Sequence, residues 1–329
     1  MRKIRLDFCD FGHNMSKPNH FFYRLLQEHF EIELCDQPDF LIYSSHGHEH
    51  RMHSCVRIFF SGESAPPDFQ ECDYSLSCCR LDTSRHLQLP FYVLYGQAAD
   101  IVKQHDDPER ILAGKTKFCS FVVRSHNPRL NRNRLEFFQH LSRYRPVDSG
   151  GVFGNNIGGP IPGGSAEKIK FLRAYKFNIA FENLARPGYT TEKIFEPMVA
   201  RCLPIYWGNP LVAEEFNPRS FLNRADFPSE EALIERIIEL DRDDAKYLEY
   251  VRQPYFHQDE PNLYFSRQRL LEFFERIFTD RIVPVAQRGR RKSFFFGRWI
   301  LVKRHHWHPL PAPAAEAVEP QPAKWNSTR

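Results

Sequence analysis

The apolar residues of the chain fall into short runs of strand length, and these runs alternate with longer stretches of helical periodicity. In the first half, the apolar runs predict strands at residues 4–8, 39–43, 55–60 and 117–123. The helical periodicity predicts helices at residues 18–30 and 131–143. One side of the first helix is apolar and consists of Phe21, Phe22, Leu25, Leu26 and Phe30. The alternation indicates a βαβ chain that folds into a parallel sheet.

A second set of alternating elements follows residues 149–160, which are too rich in Gly and Pro to be regular. Within this second set, residues 176–209 have the pattern of an apolar strand, a polar turn, an amphipathic helix and another strand. Further helices are predicted at residues 165–174, 228–240, 241–250 and 261–278. Because 329 residues exceed what one hydrophobic core supports, we predict two α/β domains with a link near residue 150. The predicted domains are residues 1–150 and 151–280, followed by a tail at 281–329.

The polar side chains of residues 176–209 lie mostly where one predicted element ends and the next begins. In an α/β chain, ligands collect at the carboxyl ends of strands and the amino ends of helices. Lys193 lies in the first turn of the predicted helix, where free N–H groups and a partial positive charge attract phosphate. The carboxylate of Glu192 would suit the hydroxyls of a ribose, so the pair indicates a nucleotide. Pro197 lies inside this helix, which we therefore expect to be short or kinked.

Three segments of fixed spacing carry a resemblance to a known family. They are Phe181-Glu182-Asn183, Gly188-Tyr189-Thr190-Thr191-Glu192-Lys193 and Leu203-Pro204-Ile205-Tyr206-Trp207-Gly208. Together they resemble the donor-binding signature of the α-1,3/4-fucosyltransferases, glycosyltransferase family 10, especially its bacterial members. The resemblance implies two Rossmann-like domains that face a cleft, the GT-B arrangement, with the acceptor mostly on the first domain and the donor on the second.

The resemblance also implies a reaction, the inverting transfer of L-fucose from GDP-β-L-fucose to a glycan hydroxyl. In that reaction Lys193 would hold the diphosphate and Glu192 would contact the ribose. Asn183 and Tyr189 would shape the donor pocket. No cofactor or metal ion is expected, since cations of the chain and a helix dipole would take over the neutralising role.

Glu63 is the candidate for the base that removes the proton from the acceptor hydroxyl. It follows the predicted strand 55–60, and Gly62 allows a tight turn that presents the carboxylate at the carboxyl end of this strand. The segment Gly62-Glu63-Ser64-Ala65-Pro66-Pro67-Asp68-Phe69 resembles the family element whose Glu is assigned that role. Ser64 stands where the family usually has Asn.

Arg134 is the candidate for the second cation at the diphosphate. It lies in the opening part of the helix predicted at 131–143, and a guanidinium binds phosphate through paired hydrogen bonds. Counting seven residues back from Leu141, as the family pattern does, selects Arg134. Arg132 and Arg129 are close in sequence and remain alternatives.

Three other functions stay open at this point. The base and the cations do not by themselves name a sugar, so another nucleotide sugar is an alternative donor. The run from His46 to His53 contains four histidines and would suit a metal-dependent hydrolase, although Gly47 and the charged neighbours favour a loop without a metal. Asp241-Arg242-Asp243 matches the Asp-x-Asp of metal-dependent transferases, but it lies in an acidic helical stretch. A basic binding protein without catalysis is the third alternative.

The charge of the chain is concentrated near its end. Residues 281–304 contain eight Lys or Arg and no acid, which leaves −4 for residues 1–280 out of a total of +4, because residues 305–329 balance. Cations interleaved with Phe and Trp at 288–304 predict contact with an anionic membrane surface such as one that carries a lipid-linked glycan, and we do not expect nucleic acid binding. Residues 309–323 are rich in Pro and Ala and predict a flexible tail.

Targeting and cysteine patterns favour a cytoplasmic protein, peripheral on the inner face of the membrane. The start of the chain has no apolar leader, and no stretch of about 20 apolar residues occurs. The eight cysteines are scattered and never form Cys-x-x-Cys, so neither a disulfide framework nor a zinc knuckle is predicted.

Overall fold

The computed structural model describes residues 1–12, 15–124, 128–288, 293–295 and 298–300. The chain divides into two compact units, Met1–Gly289 and Arg290–Arg329. In the second unit, a short antiparallel pair joins residues 293–295 to residues 298–300. The predicted flexible tail at 309–323 and most of the predicted membrane segment lie outside the described residues.

The first unit contains two parallel sheets, as far as the described residues define them. The strands of the first sheet are β1 (Lys3–Cys9), β2 (Glu31–Leu34), β3 (Phe40–Tyr43), β4 (Val56–Ser61), β5 (Tyr74–Ser77) and β6 (His86–Gln88). Their order in space is β2-β1-β3-β4-β5-β6. The strands of the second sheet are β7 (Lys117–Phe121), β8 (Val147–Ser149), β9 (Tyr175–Phe181), β10 (Leu203–Trp207) and β11 (Leu222–Asn223), in the order β11-β10-β9-β7-β8. The predicted fold class, two Rossmann-like α/β domains, is confirmed.

Helices pack against both sheets. The α-helices are α1 (Phe21–Leu26), α2 (Pro108–Ala113), α3 (Pro128–Ser142), α4 (Ser165–Leu172), α5 (Glu192–Val199), α6 (Val212–Glu215), α7 (Glu230–Arg242), α8 (Asp244–Val251) and α9 (Arg267–Thr279). Short 3-10 helices lie at Lys17–Asn19, Glu49–Met52, Phe91–Leu94, Ala98–Ile101, Pro218–Ser220, Arg224–Asp226, His257–Asp259 and Leu263–Phe265. Within the described ranges, no helix is both long and apolar enough to cross a bilayer.

The change from the first sheet to the second occurs earlier than the sequence predicts. Strand β7 pairs with β9, and β8 pairs with β7, so both belong to the second sheet although they precede residue 150. The Gly-rich segment 149–160 therefore lies within the second domain and is not an interdomain link. Sheet membership depends on pairing between distant strands, which the order of elements along the chain does not determine.

Helix α9 returns to the first sheet, which corrects the predicted second domain of 151–280 at its end. Phe274 packs against Phe22 at a ring distance of 5.6 Å, and Phe278 packs against Phe30 at 5.2 Å. Residues after α9 continue on the same domain, because the backbone N–H of Val285 donates to Asp73 at 2.8 Å. The first compact unit accordingly extends to residue 289, beyond the predicted tail boundary at 281.

Helix α5 has the short form that its sequence predicts. Thr191 caps its amino end by accepting a hydrogen bond from the backbone N–H of Lys193. Ile194, Phe195 and Met198 are buried, and they anchor the helix in the core. The helix is eight residues long and ends two residues after Pro197.

Candidate active site

Five of the six predicted site residues line one cavity of about 410 Å³. They are Glu63, Arg134, Asn183, Glu192 and Lys193. Glu63 follows β4 of the first sheet, Asn183 follows β9 of the second, and the other three lie on α3 and α5. The cavity thus lies where the carboxyl ends of parallel strands meet the amino ends of helices, which is the usual ligand position in such folds.

The carboxylate of Glu63 is held from the opposite domain. The hydroxyl of Tyr189, which is buried, donates to Glu63 Oε2 at 3.0 Å. The backbone N–H of Glu63 donates to Ser61 Oγ at 3.1 Å, and this contact fixes the turn after β4. Tyr189 therefore contacts Glu63, and it is not among the residues that line the cavity.

The structure gives a different reason for glycine at position 62 from the tight turn that the sequence predicts. Its φ angle is not in the left-handed region, so the turn itself does not require Gly. A Cβ atom at this position would lie 2.2 Å from the ring of Phe91. The residue before Glu63 must consequently be Gly because an aromatic ring occupies the adjacent space.

The ammonium group of Lys193 contacts two carboxylates and one hydroxyl. Its Nζ lies 3.2 Å from Glu182 Oε2, 3.4 Å from Glu192 Oε1 and 3.0 Å from Thr191 Oγ1. Burial acts to lower the pKa of Lys193, but Glu182 and Glu192 outweigh it and hold the pKa above its ordinary value. Burial acts to raise the pKa of Glu192, and Lys193 and Lys168 reverse this, so Glu192 titrates below its ordinary value.

Arg134 faces the cavity from α3 and is 2% exposed. Its guanidinium donates to the side chain of Asn131, and burial holds its pKa below the ordinary value while Glu182 acts in the opposite direction. The alternative residue Arg132 has a side chain that is 79% exposed and that pairs with Glu136 at 3.0 Å. The side chain of Arg129 lies outside the described residues. The geometry thus brings Arg134, and not Arg132, into the cavity.

Sequence reasoning missed several residues of the site. Lys168 and Glu196 line the cavity as an ion pair with an Nζ to Oε2 distance of 2.6 Å. Arg124 and Tyr95 line it as well. Glu182 is part of the quoted Phe-Glu-Asn segment, which was a signal, but its contact with Lys193 depends on how β9 and α5 meet. The pairing of Lys168 with Glu196 leaves no trace in local sequence, because the two residues lie on different helices.

The histidine run does not assemble a metal site among the residues that the structure describes. His50 is buried, with Nδ1 at 2.5 Å from Asp10 Oδ2 and Nε2 at 2.9 Å from Glu71 Oε2. His46 and His48 are exposed. Because both ring nitrogens of His50 contact carboxylates, this cluster joins loops of the first domain.

Asp241, the first acid of the Asp-x-Asp match, is part of α7 and has structural partners. Its carboxylate accepts from Tyr144 at 3.0 Å and from Arg145 at 3.1 Å. Asp243 caps the amino end of α8 by accepting from Ala245 and Lys246. Both acids therefore have structural roles at the ends of helices, as we expected from their position in an acidic helical stretch.

Two family models match the chain. Residues 6–95 match the N-terminal domain of α-(1,3)-fucosyltransferase FucT, and residues 112–262 match the C-terminal part of glycosyltransferase family 10 (fucosyltransferase). The chain belongs to glycosyltransferase family 10. The unmatched residues 96–111 cover the passage from the first sheet to the second, which agrees with the early change of sheet.

Curated relatives agree with this family. The chain is 29% identical over 265 residues to α-(1,3)-fucosyltransferase FucT of Helicobacter pylori, which covers 68% of this chain and 53% of that protein. It is 30% identical over 198 residues to the human 3-galactosyl-N-acetylglucosaminide 4-α-L-fucosyltransferase FUT3, covering 59% of this chain and 52% of FUT3. The chain thus spans about half the length of these curated relatives.

Solved structures give the same architecture over nearly the whole of each neighbour. A crystal structure of α1,3-fucosyltransferase with GDP-fucose superposes with a TM-score of 0.70 at 26% identity and covers 86% of this chain and 93% of that chain. The structure of α1,3-fucosyltransferase with GDP has a TM-score of 0.70 at 27% identity, with coverage of 86% and 92%. The family 10 chain described here has the same GT-B fold.

Proposed function

We propose that this family 10 protein transfers L-fucose from GDP-β-L-fucose to a hydroxyl of a glycan acceptor, with inversion at the sugar. The observation that carries the proposal is that Glu63 and the two cations Arg134 and Lys193 line one cavity between the domains. The family assignment and a neighbour solved with GDP-fucose support the choice of donor.

Glu63 acts as the general base in this proposal. Its carboxylate accepts a hydrogen bond from the Tyr189 hydroxyl through Oε2, which leaves Oε1 to receive the proton of the acceptor hydroxyl. The deprotonated hydroxyl oxygen then attacks the anomeric carbon of fucose, and the bond from that carbon to the diphosphate oxygen breaks. A single displacement of this kind inverts the anomeric configuration.

The departing GDP takes up the electron pair, and its negative charge must be stabilised. Lys193 and Arg134 would contact the diphosphate, each contact contributing roughly 1.5–3 kcal/mol. The amino end of α5 adds the partial positive charge of its free N–H groups. Glu192 would accept hydrogen bonds from the ribose hydroxyls, and Asn183 would complete the donor pocket. We propose that these groups serve the reaction without a metal ion.

The acceptor is proposed to be an N-acetyllactosamine-like glycan. Relatives are named both as 3-α-L- and as 4-α-L-fucosyltransferases of galactosyl-N-acetylglucosaminides. The proposal therefore covers the 1,3 and the 1,4 linkage, which product analysis separates.

A donor and acceptor panel tests the proposal. Purified protein is incubated with GDP-fucose, GDP-mannose, UDP-galactose or UDP-glucose, with and without lactosamine-type acceptors and with a chelator in parallel. The expected result is acceptor-dependent GDP release from GDP-fucose, a product heavier by one fucose and activity that survives the chelator. Transfer from a different nucleotide sugar would replace the donor in the proposal, and loss of activity with chelator would overturn the metal-free reaction.

A further inference from the structure

Glu182 is a buried carboxylate to which the mechanism above assigns no role. It is the first residue after β9 and is 0% exposed. Its backbone N–H donates to the carbonyl of Trp207 at 2.7 Å. A Cβ atom on Gly208 would lie 2.4 Å from Glu182 Cγ. Glycine at this position, directly after β10, therefore makes space for the Glu182 side chain. The position of the carboxylate is thus fixed from both neighbouring strand ends.

The carboxylate of Glu182 contacts three groups at the amino end of α5, namely the backbone N–H and the hydroxyl of Thr191 and the ammonium group of Lys193. Oε1 accepts from the backbone N–H of Thr191 at 2.7 Å, and the hydroxyl of Thr191 lies 2.9 Å from Oε1 and 2.8 Å from Oε2. Oε2 also lies 3.2 Å from Nζ of Lys193. One side chain therefore contacts both the residue that caps α5 and the ammonium group in its first turn.

Full burial excludes Glu182 from direct contact with a substrate. The side chain of Lys193, by contrast, is 19% exposed and lines the cavity. Glu182 lies behind the ammonium group as seen from the cavity. Burial lowers the pKa of Arg134, and the negative charge of Glu182 acts in the opposite direction.

We propose that Glu182 is a positioning residue, which fixes Lys193 and the amino end of α5 toward the cavity and acts as the buried counter-ion of Lys193. The inference rests on the proposed function, since the diphosphate is what Lys193 is positioned to bind. A buried ammonium group needs a hydrogen-bonded partner to stay charged in a fixed place. Glu192 alone offers a longer contact at 3.4 Å and is needed for the donor.

A double-mutant cycle tests whether Glu182 acts through Lys193. The proteins are the unmodified chain, Glu182→Gln, Lys193→Ala and the double variant, and the measurements are the GDP dissociation constant and kcat/KM for GDP-fucose. Glu182→Gln should weaken GDP binding about tenfold, because coupled neighbours share effects of this size. The double variant should bind GDP within about threefold of Lys193→Ala, because Glu182 has nothing left to position.

Glu215→Gln is the matched control. Glu215 is also a buried acidic side chain of the second domain, and its Oε1 accepts a hydrogen bond from Asn209 Nδ2 at 2.9 Å. Its carboxyl group has no hydrogen bond or ion pair with Lys193, so Glu215→Gln controls for a Glu to Gln change at a buried site that does not contact the ammonium group. If Glu215→Gln changes the GDP dissociation constant at all, the double variant of Glu215→Gln and Lys193→Ala should show the product of the two single-variant fold-changes. The positioning role would be overturned if the effects of Glu182→Gln and Lys193→Ala on the GDP dissociation constant also multiplied. It would likewise be overturned if Glu182→Gln bound GDP as tightly as the unmodified protein or more tightly.

Thermal unfolding separates this inference from the proposed function. Lys193→Ala leaves the Glu182 carboxylate buried without its cation, so it should lower the Tm, and adding Glu182→Gln should restore part of the loss. If the unmodified protein binds no GDP, the proposed donor is wrong, but the recovery of Tm still tests the pairing. A double variant that melts below both single variants would contradict it.

Discussion

Each domain contains a cluster of buried charged residues, one around His50 and the other around Lys193. The two clusters differ in what surrounds the central side chain. His50 in the first domain is enclosed by Asp10 and Glu71, and its ring stacks on Tyr43 at a centroid distance of 4.0 Å. Lys193 in the second domain has Glu182 and Glu192 beside it, yet it also faces a cavity of about 410 Å³. The comparison teaches that charged residues alone do not indicate a site. A functional cluster keeps one side open to a ligand.

The largest expected effect on turnover comes from residues on the two sides of that cavity, Glu63 and Lys193. Glu63→Gln and Lys193→Ala should each lower turnover at least about 10²-fold, because one removes the base and the other a diphosphate cation. Glu71→Gln in the enclosed cluster is the matched control and should keep turnover within about threefold, since only stability depends on it. Steady-state kinetics on variants with native circular dichroism check this, and near-normal turnover of Glu63→Gln would contradict the assignment of the base.

A somewhat smaller effect should distinguish the two arginines of α3. Arg134→Ala should lower kcat/KM for the donor by about 10- to 100-fold, the equivalent of one lost charge-assisted contact. Arg132→Ala should change it less than about twofold, because its side chain is 79% exposed and does not line the cavity. Equal losses for both variants would mean that the cavity position of Arg134 has no bearing on donor use.

His50 offers the converse test in the enclosed cluster. His50→Ala should lower the free energy of unfolding by about 2 kcal/mol, since Asp10 and Glu71 lose a buried partner. Donor KM and turnover should stay within about threefold of the unmodified protein. Urea unfolding and kinetics on the same preparation check both parts. A loss of turnover with unchanged stability would place His50 in the catalytic machinery and break the comparison.

The last prediction concerns the pH dependence of stability and leaves turnover aside. Burial raises the pKa of Glu215 from 4.5 to about 8, so between these values the folded protein keeps a proton that the unfolded chain has released. Unfolding then releases a proton, and stability should fall as the pH rises through this window. Glu215→Gln should show a flatter dependence of Tm on pH between 5 and 8. Parallel curves for the two proteins would show that Glu215 is ionised in the fold.

Much of the fold follows from local pattern, and the parts that do not follow depend on contacts between distant residues. Alternating apolar runs predicted β1, β3 and β4, and Pro197 predicted the short α5. The boundary near residue 150 was wrong because the pairing of β7 with β9 is not encoded in either strand alone. Short strands such as β6 were missed because their three residues carry too little periodicity.

The site divides in the same way. Lys193 and Glu192 were recognisable from the amino end of a helix, and Glu63 and Arg134 came from the family resemblance. The contact between Tyr189 and Glu63 could not be predicted, because it joins residues 126 positions apart. Glu182 sits in the quoted motif, but its importance appears once its distance to Lys193 is known.

The central claim is that Glu63 serves as the base while Lys193 binds the diphosphate. GDP binding by two variants tests this claim most directly. Calorimetry should give Glu63→Gln a GDP dissociation constant within about threefold of the unmodified protein, whereas Lys193→Ala should bind GDP at least about tenfold more weakly. The first variant would then have lost the base alone and the second a phosphate contact. Equal weakening of GDP binding in both variants, or in neither, would contradict the account.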